Sequence, residues 1–257
     1  VMDALDDQVA VLMLTQVDYR SSRMHDMAAL TRRAHEVGAL TLWDLAHSAG
    51  ALPVDLAGCE ADFAAGCSYK YLNAGPGAPA FIYVKPSLID TCQPLLAGWM
   101  GHADPFAFDQ GYKPAPGIER MRVGTPPVLQ MAALEAALEL WEDVDLAELR
   151  AASIELSQAF IAAVEASCPT LRLASPRDAA GRGSQVSFAC DQAYPVMQAL
   201  IARNVIGDFR APNLLRFGFT PLYIDREQVI EAAAILAEIF ETESWRDYPI
   251  NPGASVT

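Results

Sequence analysis

The chain is short of basic residues: 18 lysines and arginines stand against 32 aspartates and glutamates, for a formal net charge of −14. A surface this acidic gains nothing from counterion release on a polyanion, which argues against nucleic acid and against anionic membranes as partners. Cysteine is scarce as well. The five present, Cys59, Cys67, Cys92, Cys168 and Cys190, are odd in number and form no Cys-x-x-Cys pair. Structural zinc and a disulfide framework are therefore disfavoured, and buried cytosolic thiols are the natural reading. Long hydrophobic runs are missing too. The longest early one, Val9 to Leu14, follows Asp6 and Asp7, and it is too short and wrongly flanked for a signal peptide or a membrane span. The expectation is a soluble, cytoplasmic protein with no metal site.

What is present describes a globular α/β protein. Apolar residues make up 52% of the 257 positions and charged residues 19%, enough to bury a large core in one domain or two. Val9 to Thr15 is a continuous apolar run that predicts a strand buried on both faces. Asp26 to Gly38 predicts a helix, with Met27, Leu30, Thr31 and Ala34 at helical spacing and Gly38 at a C-cap position. Leu40 to Asp44, Ala61 to Cys67 and Ala80 to Val84 follow as strands. Strand, helix, strand in this alternation implies crossover connections and a mostly parallel sheet, whose ligands bind outside the carboxyl ends of the strands. Gly98 to Pro127 is rich in glycine and proline with little periodicity. Helices are expected at Met131 to Val144, Leu146 to Ser167, Tyr194 to Arg203 and Asp225 to Glu241, and strands at Gln185 to Cys190 and Leu214 to Phe219. The expected domains are residues 1–127, part of a large domain, and residues 128–257, a smaller α/β domain. No internal repeat or low-complexity tract is present.

The chemistry is concentrated in Asp44-Leu45-Ala46-His47 and, past one more apolar strand, Ser68-Tyr69-Lys70. An acid at one strand end and an amine just beyond the next suit a cofactor that is both an aldehyde and a pyridine. The amine can form a Schiff base, and the acid can keep the pyridine nitrogen protonated so that the ring accepts electrons. That is the chemistry of pyridoxal 5'-phosphate (PLP). Each residue also has a plainer reading. Lys70 can snorkel to the surface from a strand end, Asp44 can cap the segment beginning near Ala46, and His47 or Tyr69 can simply pack.

Three further clusters stand out. Gly98-Trp99-Met100-Gly101-His102 lets the backbone bend around an indole that can reach out of its own domain, or it is a loop anchored by a buried aromatic. Gly124-Thr125-Pro126-Pro127 is a rigid turn that offers a hydroxyl and an amide to an anion, or only a turn. Arg216, inside the apolar Leu214 to Gly218, needs a carboxylate. That carboxylate belongs either to a substrate or to a structural salt bridge.

Taken together these segments resemble kynureninase, of the class V aminotransferase group with the PLP-dependent transferase-like (aspartate aminotransferase type I) fold. The resemblance is carried by Asp18 to Met27, Trp43 to Gly50, Cys67 to Asn73, Leu96 to His102, Gly124 to Pro127 and Arg216 to Tyr223. It covers essentially the whole chain, with two departures: Asp18 where asparagine is common and Met100 where another aromatic is. The resemblance implies hydrolysis of L-kynurenine, and possibly of 3-hydroxykynurenine, to anthranilate and L-alanine in tryptophan catabolism and NAD biosynthesis. It implies Lys70 as the Schiff-base lysine and the base at the substrate Cα, with Asp44 on the pyridine nitrogen. His47 would lie beside the ring, and Tyr69 would serve as a phosphate contact and proton donor. Trp99 and Thr125 would reach the phosphate from the neighbouring subunit of a homodimer, and Arg216 would bind the substrate carboxylate.

The family's large domain begins well before the first residue here, so the expectation is a fragment whose activity needs the remaining part. Four strands alone would leave two apolar edges unpaired. Two other readings are kept open. One is a non-catalytic or interaction module. The other is a different class V lyase such as a cysteine desulfurase, although Cys168 and Cys190 lack the Gly/Ser-rich mobile loop in which such enzymes hold their nucleophile.

Overall fold

The computed structural model describes residues 1–108 and 110–249. They divide into two compact units. Unit 1 comprises Val1–Thr15, Asp26–Ala46 and Val54–Glu142, and unit 2 comprises Gln16–His25, His47–Pro53 and Asp143–Thr257.

Unit 1 is built on a four-stranded sheet: β1 (Val11–Thr15), β2 (Leu40–Asp44), β3 (Phe63–Cys67) and β4 (Ala80–Val84), side by side in chain order. The first three run parallel and β4 is antiparallel. The crossover from β1 to β2 is α1 (Met27–Glu36), whose buried face is Met27, Leu30, Thr31 and Ala34, the spacing of one helical stripe. Asp26 caps it by accepting a hydrogen bond from Ala29 N–H at 2.9 Å. Gly38 follows its end with φ +82°, a conformation that favours glycine. Trp43, 1% exposed, donates its indole N–H to the Thr31 hydroxyl at 3.1 Å and so fixes α1 against β2. β1 was expected to be buried on both faces, but it alternates. Leu12 is buried, whereas Val11 and Met13 point to an uncovered side.

Beyond β4 come a short α2 (Pro86–Ile89), the glycine- and proline-rich stretch, and α3 (Val128–Glu139). That stretch is held by the buried Arg120. Its guanidinium donates to the carbonyls of Asp90 (2.8 Å), Cys92 (3.1 Å) and Ala115 (3.1 Å), and to the Asp90 carboxylate at 3.0 Å. Gly98 is required by a close approach: a Cβ there would lie 1.7 Å from the Val123 carbonyl oxygen.

Unit 2 has its own sheet, antiparallel throughout, of β5 (Arg172–Leu173), β6 (Gln185–Ala189), β7 (Asp208–Arg210) and β8 (Leu214–Gly218), in the order β5-β6-β8-β7. Its helices are α4 (Leu146–Ser167), α5 (Ala193–Ala202) and α6 (Arg226–Glu241). Phe160 of α4, Phe188 of β6, Leu215 of β8 and Leu236 of α6 meet in a single core and are each no more than 1% exposed. Asp145 caps α4, and Asp225 with Gln228 forms a capping box on α6.

Two early segments are built into unit 2 by hydrogen bonds. The Ser187 hydroxyl donates to the Arg20 carbonyl at 2.5 Å, Gly183 N–H to the Ser22 carbonyl at 2.8 Å, and the Ser184 hydroxyl to the Ala51 carbonyl at 3.2 Å. Unit 1 continues through α3 to Glu142 and gives up residues Gln16–His25 and His47–Pro53.

Candidate active site

Asp44, Tyr69, Lys70, Trp99 and Thr125 belong to unit 1, and His47 and Arg216 to unit 2. In unit 1 the register places Thr15 opposite Asp44 and Asp44 opposite Ala65, so β1 and β2 end level and β3 runs two residues further, to Cys67. Asp44 ends β2 and is half-buried. One carboxylate oxygen accepts from Ala46 N–H at 2.7 Å, so the local capping role is real. The other oxygen has no hydrogen bond among the described residues.

Lys70 stands three positions past the end of β3, on a turn that its own carbonyl helps close by accepting from Asn73 N–H at 3.0 Å. Asn73 is left-handed (φ +62°), and the Ser68 hydroxyl donates to the Pro79 carbonyl at 2.5 Å. The turn is therefore hydrogen-bonded, and Lys70 on it is half-buried, its Nζ 5.4 Å from the centre of the Tyr69 ring. Tyr69 itself is 46% exposed. Trp99 is also exposed, with its ring edge-on to Phe106 at 5.8 Å, and Thr125 is exposed.

In unit 2 His47 is buried, and its Nδ1 lies 2.8 Å from Nε2 of Gln185, the first residue of β6. An amide nitrogen can only donate, so Nδ1 accepts and the ring proton sits on Nε2. Arg216 is buried on β8. Its Nε donates to Asp208 Oδ1 at 2.8 Å, its Nη2 to Asp208 Oδ2 at 2.5 Å, and its Nη1 to the Tyr19 carbonyl at 2.5 Å. The salt bridge that rivalled a substrate contact is thus present.

Asp18 shapes the turn that offers this carbonyl. It accepts from the Ser21 hydroxyl and the Ser21 N–H, both at 2.6 Å, and from the Arg20 N–H at 3.1 Å. Burial alone would raise its pKa, but these hydrogen bonds and the charge of Arg20 together lower it below the ordinary value.

Gln185 and Asp208 were missed from the sequence. For Asp208 a signal existed: an arginine inside an apolar strand demands an acid on the neighbouring one, and Asp208 is the register partner of Arg216. For Gln185 nothing local pointed to a histidine 138 positions earlier.

The donor set fits PLP. A carboxylate with one uncommitted oxygen suits a protonated pyridine nitrogen, and a primary amine one strand over suits its aldehyde. Among the described residues, no group of His, Cys, Asp and Glu could hold a metal ion, and no helix is long and apolar enough to cross a membrane.

Comparison with known proteins bears on the same residues. The family model described as Kynureninase C-terminal domain matches residues 149–236. The chain is 49% identical over 257 residues to a kynureninase of Burkholderia mallei (strain SAVP1), covering 99% of this chain and 62% of that protein. It is 48% identical over 256 residues to the kynureninase of Pseudomonas fluorescens, with the same coverage. The chain therefore spans 62% of the length of these curated relatives. Among solved structures, a mutant of C-DES with glycine covalently linked to its PLP cofactor superposes with a TM-score of 0.80 at 20% identity, over 92% of this chain and 62% of that one. At that identity the likeness establishes the fold, which is the PLP-dependent transferase-like fold of the class V aminotransferase and cysteine desulfurase group. Over 99% of its length the chain is therefore similar in sequence to kynureninases, and residues 149–236 match their C-terminal domain.

Proposed function

We propose that the chain carries residues of a PLP-dependent hydrolase that cleaves L-kynurenine to anthranilate and L-alanine, and acts likewise on 3-hydroxykynurenine. The observation that carries this reading is the 49% identity to kynureninases over 99% of the chain. Its setting is tryptophan catabolism in the cytoplasm. Unit 1 is read as part of the large cofactor-binding domain and unit 2 as the small domain.

When bound, PLP supplies an aldehyde that takes up the substrate amine and a protonated pyridine that draws electrons from Cα. The uncommitted oxygen of Asp44 would hold the pyridine nitrogen protonated. Lys70 would hold the cofactor through its amine and, as a free amine, would take the proton from the substrate Cα. His47, with its proton on Nε2, packs beside the ring. Tyr69 contacts the phosphate and donates a proton as the Cβ–Cγ bond breaks. Trp99 and Thr125 reach the phosphate of the second subunit in a homodimer, for which their exposure leaves them available. Arg216 receives the substrate carboxylate.

The cysteine desulfurase alternative meets an obstacle in the thiols. Burial pushes the Cys190 thiol up to about 11, and Cys168 is raised by burial as well. A sulfur nucleophile needs the reverse, an exposed thiol with a lowered pKa.

The test is anthranilate release from L-kynurenine by the full protein bearing this chain and loaded with PLP. Lys70→Ala is expected to abolish it, and borohydride treatment to leave a pyridoxyl mass on the Lys70 peptide of the parent. Absence of anthranilate together with an unlabelled Lys70 would overturn the reading.

A further inference from the structure

We propose that Asp208 is the positioning residue of Arg216: it holds the guanidinium side-on so that the opposite edge is presented to the single carboxylate of an amino-acid substrate. The proposal rests on the reading of Arg216 as the carboxylate-binding residue and adds the group through which that arginine is aimed.

The first support is register. Asp208 of β7 and Arg216 of β8 are directly opposed across an antiparallel pair, so their side chains emerge on the same face. The second is the way the guanidinium is used. Its Nε donates to both Asp208 oxygens, at 2.8 and 3.1 Å, and Nη2 donates to Oδ2 at 2.5 Å, while Nη1 donates to the Tyr19 carbonyl at 2.5 Å. A guanidinium has five N–H bonds. These contacts engage one on each nitrogen. One hydrogen therefore remains on Nη1 and one on Nη2, donors left for a carboxylate.

The third support is charge. Arg210 also donates to Asp208, from Nε at 3.0 Å, and its guanidinium sits 5.8 Å from the centre of the Tyr19 ring. Two guanidinium groups thus share one carboxylate, leaving one positive charge beside a buried arginine. A ligand with one carboxylate neutralises it. An Asp208 that served only to neutralise Arg216 would leave no such excess, and an unpositioned arginine would swing between ligands at an entropic cost.

The experiment uses the full protein loaded with PLP, with L-kynurenine in steady state and with L-alanine and ethylamine as binding probes that differ in the carboxylate. Asp208→Asn keeps the shape and removes the charge that fixes the fork. It is expected to raise KM for L-kynurenine and Kd for L-alanine by roughly tenfold or more, the scale of a hydrogen bond to a charged group. The kcat is expected to stay within about threefold, as for binding shared by ground and transition states, and ethylamine binding to stay unchanged. In the Arg216→Gln background the same substitution is expected to add nothing. Should Asp208→Asn not fold, Asp208→Glu displaces the fork while keeping the charge, and a rise in KM is again expected. Unaltered KM and L-alanine affinity in the folded variant, or full additivity with Arg216→Gln, overturns the role of Asp208. If Arg216→Gln itself preserves the preference for L-alanine over ethylamine, the reading of Arg216 fails. If it erases that preference and Asp208→Asn does not touch it, only the positioning proposal fails.

Discussion

Nε2 of His35 and Oδ2 of Asp62 lie 2.8 Å apart, joining the last turn of α1 to the residue that precedes β3. The same carboxylate oxygen accepts from Thr41 N–H at 2.8 Å and from the Thr41 hydroxyl at 3.2 Å, and that hydroxyl accepts from Asp62 N–H at 3.1 Å. Both residues are buried, Asp62 to 4% exposure and Thr41 completely. The knot ties the start of β2 to the start of β3, and so helps set the register that places Asp44, the last residue of β2, opposite Ala65.

Asp62→Ala removes the acceptor of a buried backbone N–H and a buried hydroxyl at once. Each group left unsatisfied costs about 1–3 kcal/mol, and a loss of roughly 3 kcal/mol is expected in chemical denaturation. Asp62→Asn retains an acceptor oxygen and should lose less than half of that. Equal losses for the two variants would show that the carboxylate's charge, rather than its acceptor geometry, is what unit 1 depends on.

A second prediction concerns acid. The Asp18 carboxyl titrates below its ordinary value because its hydrogen bonds and Arg20 outweigh the effect of burial. A depressed folded pKa contributes stability that is complete above the unfolded pKa and is lost as pH falls through the folded one. Asp18→Ala should therefore cost about 1–2 kcal/mol at pH 7. The gap between parent and variant should be complete above the ordinary carboxyl value of 3.8 and narrow only below it, as pH falls through the lower folded value. Denaturant midpoints measured at neutral pH and in steps below that value follow it, and a gap that widens in acid would contradict the assignment.

Much of the fold was legible because it is local. α1 declared itself through Met27, Leu30, Thr31 and Ala34, an acid at its N-cap and a glycine past its end, and the structure has it at Met27–Glu36. α3 begins at Val128, before the expected Met131, because Pro127 occupies its N-cap, where a missing N–H costs nothing. β5 and β7 escaped because two and three residues are too short to show a period. The membership of Gln16–His25 and His47–Pro53 in unit 2 was hidden for a different reason. It rests on hydrogen bonds such as Arg216 to the Tyr19 carbonyl, between positions 197 apart, and no window along the chain spans them. At the candidate site the residue types were readable. Arg216 called for an acid that the short β7 supplies as Asp208, while Gln185 is known only from three dimensions.

The cysteines give a third prediction. With its thiol pushed up to about 11 by burial, Cys190 is ionised to only roughly a thousandth at pH 8. Its residue is 8% exposed and that of Cys168 is 2% exposed. Iodoacetamide at pH 8 should leave both unmodified in the native protein and alkylate them on denaturation, as read by peptide mass. Incubation with L-cysteine should leave no persulfide on either, and one found there would restore the desulfurase reading.

The last prediction is the tautomer of His47. Gln185 Nε2, 2.8 Å from His47 Nδ1, has only hydrogens to offer, so Nδ1 accepts and the ring's own proton sits on Nε2. Nitrogen NMR of histidine-labelled protein should show Nδ1 with the shift of an unprotonated acceptor. Gln185→Leu takes away the donor and leaves a buried ring nitrogen unpaired, which should cost about 1–3 kcal/mol of stability and let the proton move to Nδ1. Gln185→Glu reverses the polarity of the contact, since a carboxylate can only accept, and should draw a proton onto Nδ1 directly. A parent protein already protonated at Nδ1, with Gln185→Glu indistinguishable from it, would mean that the amide accepts from the ring and that His47 faces its surroundings as an acceptor instead.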